Sequence, residues 1–118
     1  MDIFIYPRII TVCGNNDSPE LLKNVKTDVL VHEATYTDKV LLKVGTQVQH
    51  SSAKKVAEFS ESIGLKNLVL THFSARYTYE NISDISDEAK LYYTGKLFLA
   101  NDFDIYHLDK QHNLKKLE

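Results

Sequence analysis

Apolar residues fall along this chain in short blocks that switch between two periods. Ile9-Ile10-Thr11-Val12-Cys13 is a β-branched run, and Val29-Leu30-Val31 and Leu68-Val69-Leu70 are apolar at every position. The latter two predict strands buried on both faces. Between them Ala53, Val56, Ala57, Ser60 and Ile63 recur at helical spacing, with Lys54, Lys55, Glu58 and Glu61 facing away. This predicts an amphipathic helix over Ser52 to Ile63, ended by a left-handed Gly64. A shorter helix is predicted over Pro19 to Val25, because Ser18-Pro19-Glu20 supplies an N-cap, a first-turn proline and an acid at the positive helix end. Ile3 to Tyr6, stopped by Pro7, reads as an edge strand.

The later part of the chain continues the alternation. Asp38 to Val44 fits either a strand or one helical turn. Phe73 to Ile82 is polar and aromatic and reads as a loop. Ser83 or Ser86 opens a helix containing Ala89, Leu91 and Tyr92 and closed by Gly95. Lys96 to Ala100 and Asp104 to Leu108 read as two strands joined at Asn101-Asp102. The charged tail from Asp109 is expected to fray, and Leu117-Glu118 reads as a remnant of cloning with no structural role. Strands alternating with helices indicate an α/β fold, and 118 residues indicate one domain spanning 1–118.

Composition narrows the partners. A net charge of -2 offers no general attraction to nucleic acid or membrane, so any phosphate contact must come from a local basic patch. The single cysteine, Cys13, excludes an intrachain disulfide and a thiolate zinc cage, and fits a reducing compartment, here the cytoplasm. No apolar run reaches the ~18 residues of a membrane span, and Met1-Asp2-Ile3-Phe4 lacks the basic start of a signal peptide.

Candidate chemistry sits just past the two buried strands. Parallel α/β sheets place ligands beyond the carboxyl ends of their strands. There the chain carries Glu33, His72 and Arg76, and His50 lies in the turn before the best helix. An imidazole there moves protons near neutral pH or binds zinc through a neutral ring nitrogen. A carboxylate such as Glu33 orients a histidine or simply caps a turn. Arg76, beside histidines, suits a phosphate. His32, His107 and His112 read as hydrogen-bonded structural residues.

These segments carry a resemblance. Val31-His32-Glu33-Ala34-Thr35, His50-Ser51-Ser52-Ala53, Leu70-Thr71-His72-Phe73-Ser74-Ala75-Arg76-Tyr77 and Leu99-Ala100-Asn101-Asp102-Phe103 resemble, in order, motifs in the C-terminal half of the ribonuclease Z family. Those enzymes are zinc-dependent tRNA 3′-processing endonucleases of the metallo-β-lactamase superfamily. The resemblance spans roughly Ile9 to Leu108 and implies half of an αβ/βα sandwich, with one mixed sheet and two to three helices on one face. It implies that His72 is a zinc ligand, that His50 is a catalytic histidine outside the metal shell and that Glu33 orients it. It further implies that Ser51, Ser74 and Arg76 meet substrate phosphate.

The family's main metal motif, His-x-His-x-Asp-His, does not occur in this sequence, and Asn15 stands where the family has a metal-bridging aspartate. Asp17 is a weak substitute. One histidine does not hold zinc, since a catalytic site supplies three protein ligands and an open position. The chain alone is therefore expected to bind no zinc stably and to be inactive. Its sheet face toward the missing half is expected to be uncovered, which calls for a homodimer or a chain supplying the metal-binding half. Two other readings stay open: a degenerate non-catalytic binding or dimerisation module, and a small hydrolase with an intersubunit metal site.

Overall fold

A computed structural model describes residues 7–14, 18–45 and 50–117. Ile3–Tyr6, Asn15 and Asp17 lie outside the described residues. Four parallel strands, β1 (Ile10–Val12), β2 (Val29–Glu33), β3 (Asn67–Thr71) and β4 (Lys96–Leu99), form one sheet in the order β1-β2-β3-β4. Register pairs Val29 with Asn67, Val31 with Val69 and Val69 with Phe98. The connections are a short 3-10 turn at Pro19–Leu22, then α1 (Asp38–Val44) with α2 (Ala53–Ser62), then α3 (Ser83–Tyr92). Parallel strands laid down in one direction by right-handed crossovers place every helix on the same face of the sheet.

Period-2 alternation divides the strands between two cores. Leu30, Leu68 and Leu70 face the helices and pack with Ala53, Val56, Ala57 and Phe59 of α2 and Ile85, Ala89 and Tyr93 at α3. Val29 and Val69 face the other way, against Leu108 and Leu114. These last two belong to a separate antiparallel hairpin, β5 (Ile105–Leu108) and β6 (Leu114–Leu117). Phe98 and Tyr106 meet edge to face across the same layer, ring centroids 5.5 Å apart.

The hairpin corrects three expectations. The sheet is not one mixed sheet but a parallel sheet with a two-stranded antiparallel sheet on its second face. The tail does not fray, because Leu117 pairs with Ile105 and Leu114 with Leu108. The second sheet face is not bare: it is covered over β2 to β4, and apolar exposure is left at Ile10 and Val12 of β1.

The predicted helix over Ser52 to Ile63 is present, and Ser52 caps it by accepting the Lys55 N–H at 3.1 Å. Gly64 takes the left-handed conformation expected of it, φ 65°. The ambiguous Asp38 to Val44 segment is helical. Gly95 does not act as a helix cap; Tyr93, already extended, ends α3. Gly95 is small because Tyr93 folds back over it to donate its hydroxyl to the Leu65 carbonyl, 2.8 Å away. A Cβ there would collide with the Tyr93 phenol and come within 2.9 Å of that carbonyl.

Candidate active site

Two neighbouring strand ends and one helix start build the site. Glu33 and Thr71 are register partners at the carboxyl ends of β2 and β3. Past them the loops stay joined, the Ala34 N–H bonding to the Thr71 carbonyl and the Ser74 N–H to the Thr35 carbonyl. The start of α2 is drawn to the same rim by the Ala53 N–H donating to the Tyr36 carbonyl at 2.9 Å and the Ser51 N–H donating to Glu33 Oε1. Glu88 of α3 fastens the outside, accepting the N–H groups of Asp38 and Lys54 at 3.0 and 2.9 Å and so holding the N-termini of α1 and α2 together. Tyr77 Oη accepts the Thr37 N–H at 2.8 Å and ties the loop after β3 to the loop after β2.

Glu33, His50 and His72 come together as the sequence predicts, with one ligand-type atom from each lying within 4.8 Å of the others. The geometry adds a residue to which the sequence reading assigned no role. Thr35 Oγ1 donates to Glu33 Oε2 at 2.6 Å and lies 3.3 Å from His50 Nδ1 and 3.1 Å from His72 Nδ1. His50 Nδ1 is 3.7 Å from Glu33 Oε2, an ion-pair distance rather than a hydrogen bond. The carboxylate thus reaches the histidine chiefly through the threonine hydroxyl. The two imidazoles lie 5.6 Å apart at 32°. Buried Glu33 is fully engaged, since Oε2 also accepts the Thr35 N–H at 3.0 Å.

His72 has φ 60°, the left-handed region that costs a non-glycine residue ~1–2 kcal/mol. It is held there while presenting an exposed ring at the rim. Such strain at a strand end is a recurrent feature of working sites.

The phosphate candidates separate. Arg76 lies over the Tyr36 ring at 5.8 Å, and Tyr36 meets His50 edge-on at 6.0 Å, so the guanidinium and His50 share one aromatic neighbour. Ser74 Oγ accepts the Arg76 N–H at 3.3 Å and is part of the same turn. Ser51 is fully buried. Its expected phosphate contact does not fit this arrangement, in which its backbone serves to position Glu33. A cleft of about 500 Å³ opens next to Ser74, lined among others by Phe73, Tyr77, Tyr79, Leu99 and Asn101.

Of the remaining histidines, His112 and His32 make structural contacts, and His107 is exposed on β5. His112 pairs with Asp28 at 2.7 Å, at the amino end of β2 and so away from this rim. Buried His32 holds the Glu33 carbonyl through Nδ1 at 2.8 Å. Burial pushes its imidazole below the ordinary value of 6.5, against smaller upward pulls from the Glu33 carbonyl and carboxylate. The folded protein thus binds this proton less readily than the unfolded chain does. Stability present above about pH 6.5 is lost as the pH falls through the depressed folded value. Urea midpoints are expected to drop between about pH 7 and pH 5 more steeply in the wild type than in His32→Asn. Equal slopes would remove His32 from the acid response.

A metal ion at the centre of the Glu33–His50–His72 cluster would have to displace the Thr35 hydroxyl. The donors left for a metal are the Nε2 atoms of the two rings, short of the three ligands of a catalytic zinc site. The residues fit a contribution to a metal centre rather than a whole one.

A βαβ sheet layered with helices on one face and a hairpin on the other matches part of a metallo-β-lactamase fold protein. The solved structure of the fold member YhfI from Bacillus subtilis superposes with a TM-score of 0.63 over 78% of this chain and 36% of that one, at 20% identity. No family model matches the chain. At the level of sequence the chain is a homologue of the C-terminal part of ribonuclease Z. It is 50% identical to ribonuclease Z of Pseudomonas putida (strain GB-1) over 88% of its length and to that of Marinobacter nauticus over 94%. It is 34% identical to that of Bacillus licheniformis over 92%. The chain spans about a third of the length of these relatives, 34–36% of each. No helix among the described residues is long and apolar enough to cross a membrane.

Proposed function

We propose that this chain is the C-terminal part of a ribonuclease Z-type endonuclease that cleaves precursor tRNA on its 3′ side, and that it acts only when joined to a metal-binding half. The observation that supports this best is the meeting of His50, His72 and Glu33 on one hydroxyl, in a chain 50% identical to ribonuclease Z over 88% of its length.

In this reading His72 is a metal ligand from this half and the other ligands come from the partner half. Zinc bound there would supply a Lewis acid and an activated water for attack at phosphorus. Arg76 and Ser74 hold a non-bridging phosphate oxygen, the guanidinium offsetting charge that grows as the phosphate is attacked. His50 moves a proton at Nε2, its ring held by Thr35 and flanked by the Glu33 carboxylate. The aromatic cleft beyond Ser74 suits an unpaired base stacked on a ring such as exposed Tyr79. The exposed Ile10 and Val12 on β1 suit an apolar contact with the other half, or with a second copy of this chain in its absence.

The test supplies the N-terminal half of the Pseudomonas putida enzyme in trans. Precursor-tRNA cleavage is expected from the mixture and from neither half alone, with zinc well below one per chain when this chain stands alone. A stable complex that cleaves nothing would favour a binding module. Stoichiometric zinc on the isolated chain, lost in His72→Ala, would favour a hydrolase with an intersubunit site.

A further inference from the structure

The hydrogen-bond arithmetic at Thr35 fixes more than position. Its Oγ1 carries one proton and two lone pairs. Its shortest contact, 2.6 Å, is to Glu33 Oε2, and a carboxylate has no proton to give. The hydroxyl proton therefore goes to Glu33. Both lone pairs are left facing ring nitrogens, His50 Nδ1 at 3.3 Å and His72 Nδ1 at 3.1 Å. A lone pair bonds only to a donor, so each Nδ1 must carry a proton. In a neutral ring that leaves the unshared pair on Nε2.

We propose that Thr35 is a positioning residue that sets the tautomer of both histidines at once, holding each as Nδ1–H so that Nε2 of His72 is free to bind a metal and Nε2 of His50 is free to take a proton. One hydroxyl thereby prepares two rings with different tasks. Its own orientation is set by the buried Glu33 carboxylate, which also receives the Thr35 and Ser51 N–H groups and cannot turn away. Any residue without a hydroxyl there would leave both rings without their shared acceptor. Serine would keep it. The inference rests on the proposed function in taking His50 and His72 as the working rings, but its geometry needs neither metal nor RNA.

The test is a long-range proton–nitrogen correlation spectrum of the histidine rings in this chain, without metal or RNA, at alkaline pH. In the wild type, His50 and His72 are each expected to show a protonated Nδ1 and an unprotonated Nε2. Thr35→Ser is expected to keep that pattern. Thr35→Val, which preserves shape but removes the hydroxyl, is expected to move both rings toward Nε2–H. Nε2–H on either ring in the wild type would overturn the proposal, as would an unchanged pattern in a folded Thr35→Val. If the valine variant does not fold, the wild-type and serine spectra decide. Because no cleavage is measured, failure here is separate from failure of the ribonuclease reading.

Discussion

In an enzyme reassembled from this chain and a metal-binding half, His50→Ala is expected to lower precursor-tRNA cleavage about 10²–10⁴-fold, the range for loss of a general acid–base group. Zinc per assembly is expected to stay unchanged. His72→Ala is expected to lower zinc content and cleavage together. Two histidines that share one hydroxyl are thus expected to separate by readout. The reason lies in where the chain puts them. His72 is an exposed residue held in a left-handed turn directly after β3. His50 is half-buried, packed edge-on against Tyr36 and within ion-pair distance of Glu33. Metal analysis alongside single-turnover cleavage checks the prediction. Equal loss of zinc in both variants would make His50 a ligand and leave the proton-transfer role without a residue.

The sequence pattern carried the interior of this fold further than its margins. The strands at Val29 and Leu68 and the helix from Ala53 were legible because burial leaves its trace in the residues themselves, a continuous apolar run in each strand and helical spacing in the helix. Asp38 to Val44 was not, since its apolar residues match both periods over seven positions. What selects the helix is Glu88, fifty positions later, whose carboxylate holds the Asp38 N–H. The last strand, Leu114-Lys115-Lys116-Leu117, looks like a charged tail for a similar reason. Its single buried residue, Leu114, is too little pattern to read.

At the site, Glu33, His50 and His72 announced themselves as groups with chemistry. Thr35 did not. A threonine after a strand is unremarkable in sequence, and its importance comes from the direction of one Cβ–Oγ bond. Ser51, for which the family resemblance implied a phosphate contact, is fully buried, and its backbone N–H holds Glu33.

Asn67→Ala is expected to cost about 2–4 kcal/mol, since it removes three hydrogen bonds and leaves a buried N–H without its acceptor. Asn67 is a fully buried polar residue at the start of β3. Its Nδ2 donates to the Asp28 carbonyl at 2.8 Å and the His112 carbonyl at 3.0 Å, and its Oδ1 accepts the Leu114 N–H at 3.2 Å. The amide orientation follows from its neighbours, two carbonyls needing a donor and one N–H needing an acceptor. This one side chain therefore bolts the β5–β6 hairpin to the parallel sheet at the root of β6, where Leu114 meets Val29 and Val69. Other ties are present but weaker. His112 pairs with Asp28 while each side chain keeps about a fifth of its surface, and Lys66 reaches the Gln111 carbonyl on the exposed side. A partly exposed ion pair contributes ~0–1 kcal/mol, so His112→Ala is expected to cost less than Asn67→Ala. Hydrogen exchange gives the sharper test. In Asn67→Ala the Leu108 and Leu114 amides should lose protection before those of β2 and β3, because the hairpin lifts while the helix-covered core stays closed. Loss of protection everywhere at once would mean that the hairpin and the parallel sheet unfold as a single unit, and Asn67 would then be a core residue rather than a bolt. A cost under about 0.5 kcal/mol would mean that Leu108, Leu114 and Tyr106 hold the hairpin by burial alone.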